Sequence, residues 1–103
     1  MIGELYSILK REQNEVTIKL SDANHLVFKG HFPTIPLLPG YLLIDIISSI
    51  LNDNVINIHY SKFVVSVYPN DEIQYNIKYD NKIRIIKITK DCKKIGEIKY
   101  ETK

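Results

Sequence analysis

The chemistry in this chain is concentrated in one stretch, Gly30-His31-Phe32-Pro33-Thr34-Ile35-Pro36-Leu37-Leu38-Pro39-Gly40, and in the apolar run after it, which Asp45 alone interrupts. A histidine side chain suits proton transfer near neutral pH, and a carboxyl group can hold or release a proton. A histidine and a lone acid on either side of a helix start supply both halves of general acid/base chemistry. Pro33, Pro36, Pro39 and Gly40 restrict the backbone between them, as expected of a loop that must hold a group still. The other chemically capable residues read as incidental. His25 and His59 are expected to be structural or surface residues. No second ligand lies at a useful metal-binding spacing from His59. Cys92 sits in a turn-like Asp91-Cys92-Lys93 with no partner that would activate a thiol.

The elements that position His31 and Asp45 follow from pattern. Proline suits the first helical turn, so a helix is expected to begin at Pro39 or Gly40. It should run to about Leu51, where Asn52-Asp53-Asn54 stops it. Leu42, Leu43, Ile46, Ile47 and Ile50 cover more than one stripe, which marks a core helix. Before it, Leu5–Lys10 and Glu15–Leu20 read as strands joined by Gln13-Asn14. Val16, Ile18 and Leu20 alternate with Thr17 and Lys19. His25–Phe28 is expected to be a short extended piece. After the helix, Val55–Tyr68 is a long β-rich run, bent near Ser61-Lys62, and Pro69-Asn70-Asp71 is a turn. Strands at Ile73–Tyr79, Ile83–Thr89 and Ile95–Tyr100 follow, with a hairpin turn at Asp80-Asn81. The implied class is α+β: a curved antiparallel β-sheet wrapped around one central α-helix, in one domain spanning 1–103. The exposed edges of such a sheet are commonly satisfied by a second copy.

Bulk properties narrow the function classes. With 103 residues the chain buries only about two thirds of its unfolded surface, so a dimer would help it. A net charge of +2, with basic residues spread along the strands, does not suggest a nucleic-acid partner. One cysteine leaves no disulfide framework and fits a reducing, cytoplasmic setting. The longest apolar stretch, Tyr41–Leu51, is too short to span a membrane and contains Asp45. The start, Met1-Ile2-Gly3-Glu4, does not read as a signal peptide.

The loop and helix resemble the β-hydroxyacyl-acyl-carrier-protein dehydratase family, which has the hotdog fold. Its signature is His-Phe-Pro, then Pro, then Pro-Gly, with an acid five residues after the glycine. Here it reads His31-Phe32-Pro33, Pro36, Pro39-Gly40 and Asp45. A weaker match lies downstream in Lys62-Phe63, Val65 or Val67, and Pro69-Asn70-Asp71. The resemblance implies that His31 removes the α-proton of a 3-hydroxyacyl thioester, that Asp45 protonates the departing hydroxyl, and that the Gly40 N–H polarises the thioester carbonyl. It implies substrate contacts at Phe32, Pro39, Tyr41 and Lys62. Lys62 would meet the acidic carrier protein or the pantetheine phosphate; the plain alternative is an ordinary surface lysine. No metal or redox cofactor is implied. The partners implied are acyl carrier protein and a second subunit, in a homodimer or higher oligomer with shared sites. The physics agrees. A helix N-terminus offers N–H groups to a developing oxyanion, and an apolar helix would raise the pKa of Asp45 by desolvation.

Several positions depart from the family pattern. Thr34 replaces the usual glycine, Tyr41 a smaller residue and Ser49 a glutamine, and the acid is aspartate where glutamate is commoner. The segment after the helix, Asn52–Asn54, is short, which points to a short substrate or an open pocket. Two other readings therefore stand beside dehydration. One is a hotdog acyl thioesterase, since the fold hosts both reactions. The other is a non-catalytic acyl-binding or partner subunit.

Overall fold

The computed structural model describes residues 4–31 and 37–103, with His31 described in its backbone alone. Six strands form one antiparallel sheet: β1 (Tyr6–Arg11), β2 (Glu15–Leu20), β3 (Val55–Phe63), β4 (Glu72–Asp80), β5 (Ile83–Lys90) and β6 (Lys93–Thr102). Their spatial order is β1-β2-β4-β5-β6-β3. Helices α1 (Leu26–His31) and α2 (Gly40–Ile50) lie between β2 and β3 in sequence. The chain therefore crosses from one side of the sheet to the far edge, and α2 is carried across one face on the way.

Alternation decides which face that is. Val16, Ile18 and Leu20 of β2, Ile73, Tyr75 and Ile77 of β4, Ile86 and Ile88 of β5, and Ile98 and Tyr100 of β6 are buried with Leu43, Ile44, Ile46, Ile47 and Ile50 of α2 in one cluster. Period-two burial on strands against period-3.6 burial on a helix is the pattern of a helix lying on a half-buried sheet. Tight turns keep the register. Asp91 and Cys92 both have positive φ (52° and 64°) and join the paired Lys90 and Lys93, the geometry that matches strand twist in a two-residue hairpin.

The structure corrects three expectations. Residues 25–28 are not extended but lead into α1. His25 Nδ1 accepts a hydrogen bond from the Val27 N–H at 3.0 Å, and the His25 carbonyl accepts from Phe28 and Lys29. His25 thus caps the helix, doing the work usually done by Ser or Asp, and Phe28 anchors it in the core. The long run from Val55 ends as a strand at Phe63. Its irregularities fall at Val55/Asn57 and Ile58/Tyr60, ahead of the Ser61-Lys62 bend that was expected. Finally, α2 is not buried all round: Tyr41, Asp45 and Ser49, four residues apart, form an exposed stripe. Among the described residues no helix is long and apolar enough to cross a membrane.

Candidate active site

The C-terminal end of α2 is held by polar contacts. Asn52 has φ 57°; its N–H reaches the Ser49 carbonyl and that of Asp53 reaches the Ser48 carbonyl. This paired closure uses asparagine in the left-handed position. Arg11 Nη2 donates to the Ile50 carbonyl at 2.7 Å, placing a cation at the negative helix end. Arg84 grips the Asp53 carboxylate through Nε (3.1 Å) and Nη2 (3.2 Å), and Tyr100 donates its hydroxyl to the same carboxylate at 2.6 Å. Midway along the helix, the Tyr75 hydroxyl donates to the Leu43 carbonyl at 2.9 Å. Burial holds both tyrosine hydroxyls above their ordinary pKa. The neighbouring Asp53 acceptor adds to the shift at Tyr100.

The N-terminal end is built differently. Pro39 precedes it with φ −60° and ψ 134°, no side chain caps it, and its first turn carries no acid. Gly40, the first helical residue, has no acceptor for its N–H within the helix. Leu38 fixes the approach by donating its N–H to the Val67 carbonyl at 2.8 Å. Gly40 has a steric reason to be glycine. A Cβ there would lie 2.7 Å from Cδ2 of Phe63, and one at Gly96 would lie 3.0 Å from Cδ1 of the same ring and 2.9 Å from the Lys62 carbonyl oxygen. Gly40 also forms part of the wall of a 260 Å³ cleft, with Leu38, Leu43, Phe63 and the run Val64–Val67. The cleft lies against the N-terminal end of α2; its side chains are mostly aliphatic, but polar atoms make up the greater part of its exposed wall.

Gly40, Pro39, Tyr41 and Asp45 are all brought to the first half of α2. Asp45 does not line the Gly40 cleft. Its side chain lies on the exposed stripe and not among apolar neighbours, so the desolvation expected from an apolar helix is missing in the single chain. Among the described residues the Asp45 carboxylate has no hydrogen-bond or ion-pair partner; its backbone carbonyl accepts from the Ser48 hydroxyl at 3.2 Å. Lys62 lines a separate cleft of 180 Å³ with Val64, Lys94, Gly96 and Glu97. His31 ends α1. Its imidazole, and the residues Phe32, Pro33, Thr34 and Pro36, lie outside the described residues. Among the described residues no three His, Cys, Asp or Glu side chains gather as metal ligands would. A larger cleft, of 540 Å³, opens among Lys10, Glu15, Asp71, Lys90 and their neighbours. Both of its lysines are paired, Lys10 with Glu15 at 2.8 Å and Lys90 with Asp71 at 2.7 Å, Glu72 and Asp91 add further carboxylates to the lining, and it borders no residue of α2.

Pattern reading missed the structural work of Phe63, Gly96 and Tyr75. Gly96 alone left a signal, since an isolated glycine inside a strand marks a close approach.

Residues 8–101 match the model of a family described as ApeI-like, ApeI dehydratase. The chain belongs to this ApeI-like dehydratase family. The match is to that family and not specifically to the β-hydroxyacyl-acyl-carrier-protein dehydratases that the loop motif resembles. Among solved structures, the dehydratase heterocomplex ApeI:P from Xenorhabdus doucetiae contains a similar chain. It is 25% identical, with a TM-score of 0.79 over 93% of this chain and 96% of that one. An uncharacterized protein from Erwinia carotovora subsp. atroseptica (18% identity, TM-score 0.63, 96% of each chain) shares the fold. So does thioesterase superfamily member2 from Mus musculus (13% identity, TM-score 0.64, 96% of this chain and 81% of that one). No curated protein sequence matches the chain. The chain thus has the hotdog fold, and its family is one of dehydratases.

Proposed function

We propose that this chain, as a single hotdog domain over 1–103, dehydrates 3-hydroxyacyl thioesters carried on acyl carrier protein to trans-2-enoyl thioesters, in cytoplasmic fatty-acid or related acyl-chain biosynthesis. The observation that carries the proposal is the start of α2. Gly40 is at once the first helical residue and part of the wall of a cleft with Leu38, Leu43 and Phe63, and Asp45, exposed and without a partner among the described residues, follows on the same helix.

The thioester carbonyl oxygen accepts a hydrogen bond from the Gly40 N–H, and the helix dipole favours the charge that builds there. His31 takes the α-proton. The electron pair of that C–H bond becomes the new C=C bond as the C3–O bond breaks. Asp45, protonated, gives its proton to the departing hydroxyl, which leaves as water. No oxidation state changes in the elimination, so it calls for no redox cofactor. Phe32, Pro39 and Tyr41 would contact the acyl-pantetheine, and Lys62 its phosphate or the carrier protein.

An acid that donates must hold its proton, and burial favours the protonated form of a carboxyl group. A second subunit over the Tyr41–Asp45–Ser49 stripe would supply the missing desolvation. The edge strand β3 supports such pairing, with Ile56, Ile58 and Tyr60 exposed. The second subunit is either another copy or a different hotdog chain, the latter favoured by the heterocomplex that contains the similar Xenorhabdus chain.

The test is to incubate the protein with 3-hydroxybutyryl- and 3-hydroxyoctanoyl-acyl carrier protein and identify products by mass spectrometry. Enoyl thioester is the expected product. Free acid would indicate the thioesterase reaction. No turnover from the protein, alone or co-expressed with a partner hotdog chain, would leave the non-catalytic reading.

A further inference from the structure

We infer that the Ser66 hydroxyl is a second hydrogen-bond donor to the thioester carbonyl, sharing the cleft with the Gly40 N–H. This rests on the acyl-thioester reading above and deepens it. A carbonyl oxygen has two lone pairs, and donors fixed in advance hold the charge that builds there during reaction. The helix contributes one such donor. The N–H groups without a partner in the helical pattern are those of Gly40, Tyr41 and Leu42. That of Leu42 turns to the Pro39 carbonyl at 3.0 Å, and Tyr41 does not line the cleft. Gly40 is left as the donor on the helix side.

The remaining wall is the segment that follows β3. Among the described lining residues, Ser66 alone has a side chain that can hydrogen-bond. The segment is pinned to the entry of α2 at two points. The Phe63 ring lies against Gly40, and the Val67 carbonyl accepts the Leu38 N–H at 2.8 Å. Ser66 falls between these pins, next to the second, so its backbone is held beside the helix start. The residue is exposed, and among the described residues its hydroxyl has no hydrogen-bond partner, which leaves it free to turn to a ligand. A nucleophilic serine needs an adjacent base. None of the described lining residues has a titratable side chain, so the hydroxyl acts as a neutral donor. Ser66 is not among the residues that carry the family resemblance.

The test compares the native protein, Ser66→Ala and Ser66→Thr, each alone and co-expressed with a partner hotdog chain. Ser66 is exposed, so both variants are expected to fold. With 3-hydroxybutyryl-acyl carrier protein, kcat is expected to fall at least about tenfold in Ser66→Ala while KM stays within about twofold, the mark of an interaction made in the transition state. Ser66→Thr keeps the hydroxyl and should recover most of the rate. A second readout needs no turnover. Butyryl-pantetheine thioester lacks the 3-hydroxyl and cannot eliminate. Infrared spectroscopy of its isotope-labelled carbonyl should show a lower stretching frequency on the native protein and Ser66→Thr than on Ser66→Ala. Equal frequencies on all three proteins, or an unchanged kcat in folded Ser66→Ala, overturn the role of Ser66. An acyl adduct on Ser66, seen by mass spectrometry, overturns it in favour of a nucleophile. A lowered frequency on a native protein that forms no enoyl product keeps the role and removes the dehydratase assignment. No bound carbonyl signal on the native protein removes both.

Discussion

The two ends of α2 are held by opposite means. At the C-terminal end directed polar contacts join the burial of Ile46, Ile47 and Ile50: the Asn52 closure, Arg11 on the Ile50 carbonyl, and Asp53 held by Arg84 and Tyr100. At the N-terminal end the hold is steric, a phenyl ring between two glycines, and the first N–H groups have no side-chain cap. A helix end needs its backbone groups satisfied. Satisfying them at one end and not the other leaves the free donors beside the cleft. The difference teaches that stability and chemistry are separated along a single helix. Substitutions at the C-terminal end should therefore cost stability and spare turnover, and those near the N-terminal end the reverse.

The largest stability effect is expected at Asp53. Its side chain is only 6% exposed, and that of its Arg84 partner 15%, so Asp53→Ala leaves a largely buried guanidinium and a buried tyrosine hydroxyl without the carboxylate they share. A loss of about 3 kcal/mol is expected in chemical denaturation, with kcat/KM at 25 °C within twofold of native. A comparable drop in kcat/KM would break the separation. Tyr75→Phe should cost about 1 kcal/mol, the net value of one hydrogen bond. Arg11→Ala should cost about 0.5 kcal/mol, and less at high salt, as a cation leaves the negative end of the helix.

High pH separates the ends in another way. The pKa values of Tyr75 and Tyr100 are raised in the fold. Their stabilising contribution is complete below the unfolded value of about 10 and is lost as pH rises beyond it toward the folded values. The melting temperature should be level from pH 8 to near pH 10 and then fall, and the fall should be smaller in Tyr100→Phe.

What could be read in advance follows from the range of the interactions. The strands and α2 are encoded by local alternation and by turn residues, and Asn52-Asp53-Asn54 ends the helix where the pattern requires. α1 was not legible because six residues are too few for a helical period to show, and because its cap is a histidine. The Gly40–Phe63–Gly96 contact joins three residues far apart in sequence, and no spacing rule reaches across them. The exposure of Asp45 follows from the single chain: an apolar helix implies burial, but the face that carries Asp45 meets none of the sheet.

The most direct test of the central claim measures stability and turnover together in Asp45→Asn. Asp45 is exposed and has no partner among the described residues, so its substitution should change unfolding free energy by less than about 0.5 kcal/mol. With 3-hydroxyacyl-acyl carrier protein as substrate, in the assembly that turns over in the native protein, formation of the enoyl product should fall at least a hundredfold. Undiminished enoyl formation by a folded Asp45→Asn protein would contradict the account, because the acid on the exposed stripe of α2 would then have no part in the chemistry.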